Sequence, residues 1–270
     1  MTELPEGDVH LWFAYPDEWD EPALTASAHG ILDAGEISRS ERLRSPTHRH
    51  LVLTSRLLLR TTLSCYGSIS PGAWRFVANE HGKPRIAAEA GPSALAFNLA
   101  HTAGIAVVAV ASGRDVGVDV ESRGRHVQAK KLIERFFASE EAAELGKLPY
   151  TEIRKRFFLT WTLKEAYIKA LGRGFAQPLD SFAFRLTRER PHRIDFSAAP
   201  PQDPRKWRFA IVEPRPRFVA AVCAAAGRAE SLRLRCYRAI PAGGAAPLPC
   251  ALLGHSAGWD AFGYETENQG

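Results

Sequence analysis

Residues 104–110, Gly104-Ile105-Ala106-Val107-Val108-Ala109-Val110, and residues 116–121, Val116-Gly117-Val118-Asp119-Val120-Glu121, frame the middle of the chain. The first run is apolar throughout, as a strand needs to be when both of its faces are covered. The second alternates valine with glycine, aspartate and glutamate, the pattern of a strand with one apolar and one acidic face. Residues two apart on a strand share a face about 7 Å along the chain, so Asp119 and Glu121 project together. An exposed acidic edge and a built acidic site both fit this fragment, and the apolar strand beside it makes the exposed edge less comfortable.

Working outward, residues 9–14 read as a strand, and leucines at 51, 53, 57, 58 and 59 mark a helix over 47–66 that ends near Gly67. A strand near 73–78, the turn Glu80-His81-Gly82-Lys83-Pro84 and a strand at Leu95–Leu99 follow. Beyond Glu121, helices are expected near 127–136, 139–146 and 151–171, with strands at 181–187, 207–213, 217–225 and 231–239. Each half carries helix and several strands, so an α/β (α+β) fold of two similar lobes is expected, residues 1–114 and 115–240. The stretch 241–270 is rich in Ala, Gly and Pro and is expected to be irregular.

At 270 residues and 45% hydrophobic content the chain can bury a core without staples. Its four cysteines are scattered, with neither a paired spacing nor a zinc-ligand spacing, as suits buried thiols in a reducing cytoplasm. The start is acidic and lacks the apolar core of a signal peptide, and no apolar run reaches the roughly 20 residues of a membrane span. A cytoplasmic protein that uses no membrane is expected. Net charge +5, carried mainly by arginine, points to an anionic ligand or partner. No basic platform interleaved with aromatics is visible, which argues against nucleic acid.

Three further stretches carry chemistry. In Phe157–Gly174, Trp161, Glu165 and Lys169 lie four apart on one helical face, and Gly172 and Gly174 stop the helix. A solvated Glu–Lys pair is the bland reading, but a tryptophan on the same face is costly to leave in water. Asn98-Leu99-Ala100-His101 is a strand end whose histidine suits either a backbone partner or a phosphate. Gly82-Lys83-Pro84 holds a lysine at a rigid turn, with the same two readings.

These pieces resemble the 4′-phosphopantetheinyl transferase superfamily, in its longer two-lobed type that activates surfactin synthetase and its relatives. The resemblance rests on Gly82-Lys83-Pro84, Asn98–His101, Gly117–Glu121, Phe136-Phe137 with Glu141, Trp161 with Lys164-Glu165 and Lys169, and Pro178–Phe182, in that order over about residues 80–185. It implies small, mostly antiparallel sheets with packed helices, related by a pseudo-two-fold axis. It also implies Mg2+, or Mn2+ as a substitute, held by Asp119, Glu121 and Glu165. Contacts to coenzyme A are implied for Lys83, Pro84, Asn98, His101, Asp119 and Lys169, with Glu165 and Lys169 as catalytic groups. The charges agree with this: three carboxylates about 4 Å apart repel by about 4 kcal/mol per pair at a dielectric near 20, which a cation offsets. Oxygen ligands without histidine or cysteine favour Mg2+ over zinc.

The implied activity is transfer of phosphopantetheine from coenzyme A to a serine of an acidic apo acyl or peptidyl carrier protein, by a monomer. Two alternatives stand beside it. Asp119-Val120-Glu121 also resembles the acidic triplet of metal-dependent nucleotide-sugar glycosyltransferases, where the Glu165–Lys169 helix has no place. A non-catalytic regulatory module that binds coenzyme A has no need of the acidic trio.

Overall fold

Strands with two apolar faces need cover on both, and the architecture follows from meeting that need twice. The computed structural model describes residues 2–90, 94–241 and 244–262. The chain forms β1 (Asp8–Ala14), α1 (Glu21–Ile31), α2 (Ala34–Glu41), α3 (Pro46–Ser64), a hairpin of β2 (Phe76–Ala78) and β3 (Pro84–Ile86), then β4 (Leu95–Thr102) and β5 (Ile105–Ser112). The second half has β6 (Val116–Ser122), α4 (Ala129–Phe136), α5 (Ser139–Gly146), α6 (Tyr150–Leu171), β7 (Phe182–Leu186), β8 (His192–Ala198), β9 (Trp207–Glu213) and β10 (Phe218–Ala225). Four more strands close the described chain: β11 (Leu232–Ile240), β12 (Gly244–Pro247), β13 (Ala251–His255) and β14 (Trp259–Phe262).

Two large sheets result. The first runs β12-β11-β1-β5-β4 with β14 also paired to β11, and the second runs β6-β10-β9-β13-β8-β7. The halves repeat one wiring, since β1-β5-β4 and β6-β10-β9 follow the same order and are antiparallel throughout. Odd-numbered residues of β1 and β5, with Val116, Val118 and Val120 of β6, form a core shared by the two sheets. The opposite faces are covered by α1 and α3 on the first sheet and by α4–α6 on the second. The passage from one sheet to the other falls between β5 and β6.

The C-terminal third departs from expectation. β11, assigned from sequence to the second lobe, lies in the first sheet and runs parallel to β1, pairing Asp8 with Arg233. The stretch expected to be irregular supplies β12 and β14 to the first sheet and β13, between β8 and β9, to the second. β12 pairs with β11, the strand just before it, whereas β13 and β14 join strands further back, so local composition carried little trace of them. α1 and α2 were also missed; Asp20 caps the first, and Asp33 with Glu36 forms a capping box on the second. Arg60 of α3, buried, pairs with Glu36 and Asp33 and so fixes α2 in place.

One contact positions everything that matters for function. α6 lies directly on β6 at Gly117, where a Cβ would overlap Ala166 O and Ala170 N and stand 2.8 Å from Ala170 Cα. The helix ends at Gly172, in the left-handed region at φ 67°, with its N–H bonded to Ile168 O. A buried ion pair anchors its middle. Lys164, 0% exposed, donates to Glu141 at 2.7 Å and to the carbonyls of Leu179 and Phe182 at 2.8 and 2.7 Å. All three ammonium donors are thereby used. Glu141 in turn accepts from Ala138 N and Phe184 N.

Gly117→Ala should cost about 3 kcal/mol or more in denaturant unfolding, because the obstacles are backbone atoms that cannot rotate away. Gly30→Ala, in α1 with nothing within 4 Å of the new Cβ, should leave stability unchanged or slightly raised. Equal effects at the two sites would contradict the packing.

Burial holds the pKa of His10 down at about 4, against the partial support of Asp8. The unfolded histidine titrates near 6.5, so the unfolded state binds more protons between these values. Stability should therefore fall as pH drops from about 6.5 toward 4. His10→Gln should flatten that part of the curve of thermal midpoint against pH.

Candidate active site

Because the valines of β6 point to the shared core, Gly117, Asp119 and Glu121 face α6. Asp119 and Glu121 are only 8% and 7% exposed. Lys169 of α6 donates to Asp119 Oδ1 at 2.6 Å, and the guanidinium of Arg125 lies 3.4 Å from Glu121 Oε1. The other oxygen of each acid, Asp119 Oδ2 and Glu121 Oε2, is buried with no hydrogen-bond partner. Glu165, one turn before Lys169 and partly buried, adds its charge to the same region.

The electrostatics follow from that crowding. Burial, and then the charge of Asp119, lift Glu121 to about 7 and raise Glu165 as well. Burial also raises Asp119, opposed by Lys169. An orphaned carboxylate oxygen underground costs about 1–3 kcal/mol or more, and here there are two within one strand face. Among the described residues no three acidic, histidine or cysteine side chains close into a finished metal cage. The two orphan oxygens are hard donors and nonetheless fit a hard divalent cation such as Mg2+.

The bland reading of Glu165 and Lys169 as a solvated pair gives way to the placed one: Lys169 is engaged by Asp119 across the helix–strand contact. Trp161 packs on Phe136, Phe137 and Phe157, which seats α4 against α6. His101 ends β4 with an exposed side chain, and desolvation together with the charges of Arg56, His48 and Lys169 lowers its pKa. This gathering of cations from α3, β4 and α6 suits an anion. Arg56, His48 and Arg125 were not singled out from sequence, because only the fold brings them beside His101 and Glu121.

Two expected ligand contacts have protein partners at the seam between β4 and β6. Asn98 Oδ1 accepts from Val118 N at 2.9 Å, fixing the strand one residue before Asp119. Lys83 Nζ donates to Val116 O at 3.1 Å and to Ala170 O at 2.9 Å, and Asn79 Nδ2 donates to Gly172 O at 2.8 Å. The β2–β3 hairpin of the first lobe thus caps the C-terminus of α6 in the second. One donor of the Lys83 ammonium remains for another acceptor. Lys83 and Pro84 also line a cavity of about 400 Å3 with Arg85, Phe97 and Arg114, and none of the three acids reaches it.

The chain is similar to known proteins over most of its length. The family model described as the 4′-phosphopantetheinyl transferase superfamily matches residues 115–223. The 4′-phosphopantetheinyl transferase HetI of Nostoc sp. is 33% identical over 222 residues, covering 82% of this chain and 90% of its own. The 4′-phosphopantetheinyl transferase ffp of Bacillus subtilis is 28% identical over 76% of this chain and 89% of its own. The 4′-phosphopantetheinyl transferase Sfp of Bacillus subtilis strain 168 is 29% identical over 69% of this chain and 80% of its own.

Lys83→Ala removes both bonds to Val116 O and Ala170 O, and should destabilise the protein by about 1–3 kcal/mol. The thermal midpoint should drop by about 2–6 °C; an unchanged midpoint would show that the hairpin does not hold α6.

Proposed function

The chain belongs to the 4′-phosphopantetheinyl transferase superfamily, and on that premise we propose that it moves the phosphopantetheine arm of coenzyme A, with Mg2+, onto a serine of an apo acyl or peptidyl carrier protein. The observation that carries the metal-dependent reading is the pair of orphan oxygens on Asp119 and Glu121 beside Lys169. Membership of the family leaves no role for the glycosyltransferase reading, and the intact acidic trio speaks against a non-catalytic module.

Asp119, Glu121 and Glu165 are the residues that would hold the ion. When bound, Mg2+ neutralises charge on the pyrophosphate of coenzyme A and acts as a template for it. The carrier serine oxygen forms a bond to the phosphorus bearing the pantetheine arm, while the bond from that phosphorus to the bridging oxygen breaks and 3′,5′-ADP leaves. Glu165 accepts the serine proton, directly or through a water. Lys169 passes from Asp119 to the leaving phosphate and stabilises its charge. His101, with Arg56 and His48 beside it, grips a phosphate remote from the reaction, which turns binding energy into orientation. The cavity at Lys83 and Pro84 suits the nucleotide end of coenzyme A, and Asn98 holds β6 through its Oδ1 while its Nδ2 remains to meet the ligand.

The carrier is acidic in this reading, which a chain of net charge +5 favours by steering. No helix among the described residues is long and apolar enough to cross a membrane. A cytoplasmic enzyme fits that and a set of described cysteines that forms no disulfide. Both lobes come from one chain, so a monomer carries the whole site.

Incubation with coenzyme A, MgCl2 and an apo carrier should add the mass of one phosphopantetheine to the carrier, and no gain with any of several carriers would overturn the proposal. Asp119→Ala and Glu165→Gln should each slow single-turnover transfer by about 100-fold or more. His101→Ala should raise the coenzyme A requirement more than it lowers the maximal rate.

A further inference from the structure

Asp119 and Glu121 are each met by one cation, but the two cations are held in opposite ways. Lys169 is partly buried on α6 and bonds Asp119 at 2.6 Å with hydrogen-bond geometry. Arg125 approaches Glu121 at 3.4 Å as an ion pair, with its side chain 49% exposed against 9% for the glutamate. The backbone of Arg125 is nonetheless fixed. Its N–H closes a turn onto Ser122 O at 3.0 Å, and its carbonyl accepts from Arg154 of α6 at 2.9 Å. A turn with a tied backbone therefore delivers a half-exposed guanidinium to the acidic site.

We propose that Arg125 is a displaceable counter-ion for the divalent-metal site: it covers Glu121 while the site lacks its ion, and it withdraws into solvent when the ion arrives. The inference rests on the metal-dependent reading given above. Its physical basis is a charge count. Asp119, Glu121 and Glu165 bring three carboxyl groups into a largely buried region, and Lys169 meets one; Arg125 meets a second without closing off Glu121 Oε2. A divalent ion at the two orphan oxygens meets the guanidinium as a like charge, so one of the two must leave. Arg125 can do so without moving the chain, because its backbone, not its side chain, is tied down. The cost of displacing it weakens metal binding, a sign opposite to that of a residue that merely holds the site together.

The test uses metal-stripped full-length protein and Mn2+ as the probe, with free Mn2+ followed by its electron paramagnetic resonance signal. Arg125→Gln keeps a polar side chain and the turn but removes the charge. It should tighten Mn2+ binding by about three- to tenfold, the range expected for removing one positive charge some 6 Å from a divalent ion in a solvent-exposed setting. It should also lower the metal-free thermal midpoint and enlarge the rise that Mn2+ produces. Arg125→Lys should restore wild-type affinity to within about twofold. Equal or weaker Mn2+ binding by Arg125→Gln, with wild type binding normally, would overturn the counter-ion role alone. Absence of saturable Mn2+ binding by wild type would overturn the metal site itself, and with it this inference.

Discussion

Everything chemical in this protein depends on how closely α6 can lie on β6. Two surfaces of ordinary side chains would stand about 10 Å apart between strand and helix axes, and the carboxylates of β6 would then face a layer of packing rather than Lys169. Gly117 removes that layer at one point. The backbone of Ala166 and Ala170 descends onto it, and residues two and four further along the strand come level with residues 165 and 169 of the helix. The hairpin bonds from Asn79 and Lys83, and the Asn98 bond to Val118, hold the same strand and helix from the side of the other lobe. Both lobes are thus needed to hold one strand–helix contact.

The two buried acid–base systems of the second lobe show what separates support from chemistry. Glu141 and Lys164 are both buried, and every donor of the lysine and both oxygens of the glutamate have partners. Such a pair is closed: it ties α5, α6 and β7 together and has nothing left to offer a ligand. Asp119 and Glu121 are buried almost as fully, yet each keeps an oxygen unspent. Burial without satisfaction raises the pKa of both acids and stores interaction energy that a cation can release. Neighbouring positions 164 and 165 on one helix thereby serve opposite ends.

Much of this was legible in the sequence because it is periodic. Alternation across 116–121 gave the strand, its apolar side and the shared direction of Asp119 and Glu121, and fourfold spacing with Gly172 gave the end of α6. What periodicity cannot carry is the identity of a distant partner. Asn98, His101 and Lys83 were all picked out, but whether each meets backbone or ligand depends on which strand edge and which helix end lie opposite. The same limit hid the pairing of the strand at 231–239 with β1, the joining of β13 to β8 and β9, and Arg125, whose neighbour Glu121 is found only by following a turn. α1 and α2 had a local signal, aspartates at their caps, that apolar spacing alone passes over.

The parallel pairing of β1 with β11 joins residues 225 positions apart. During synthesis β1 must therefore wait, with one row of backbone amides and carbonyls uncovered, until β11 has emerged from the ribosome. An amino-terminal half made alone would keep that open edge, buried apolar strand and all, and would be apt to pair with copies of itself. For the same reason the two lobes, alike as they are in wiring, cannot be separated at the passage between β5 and β6: the cut falls between the sheets, but the chain crosses back.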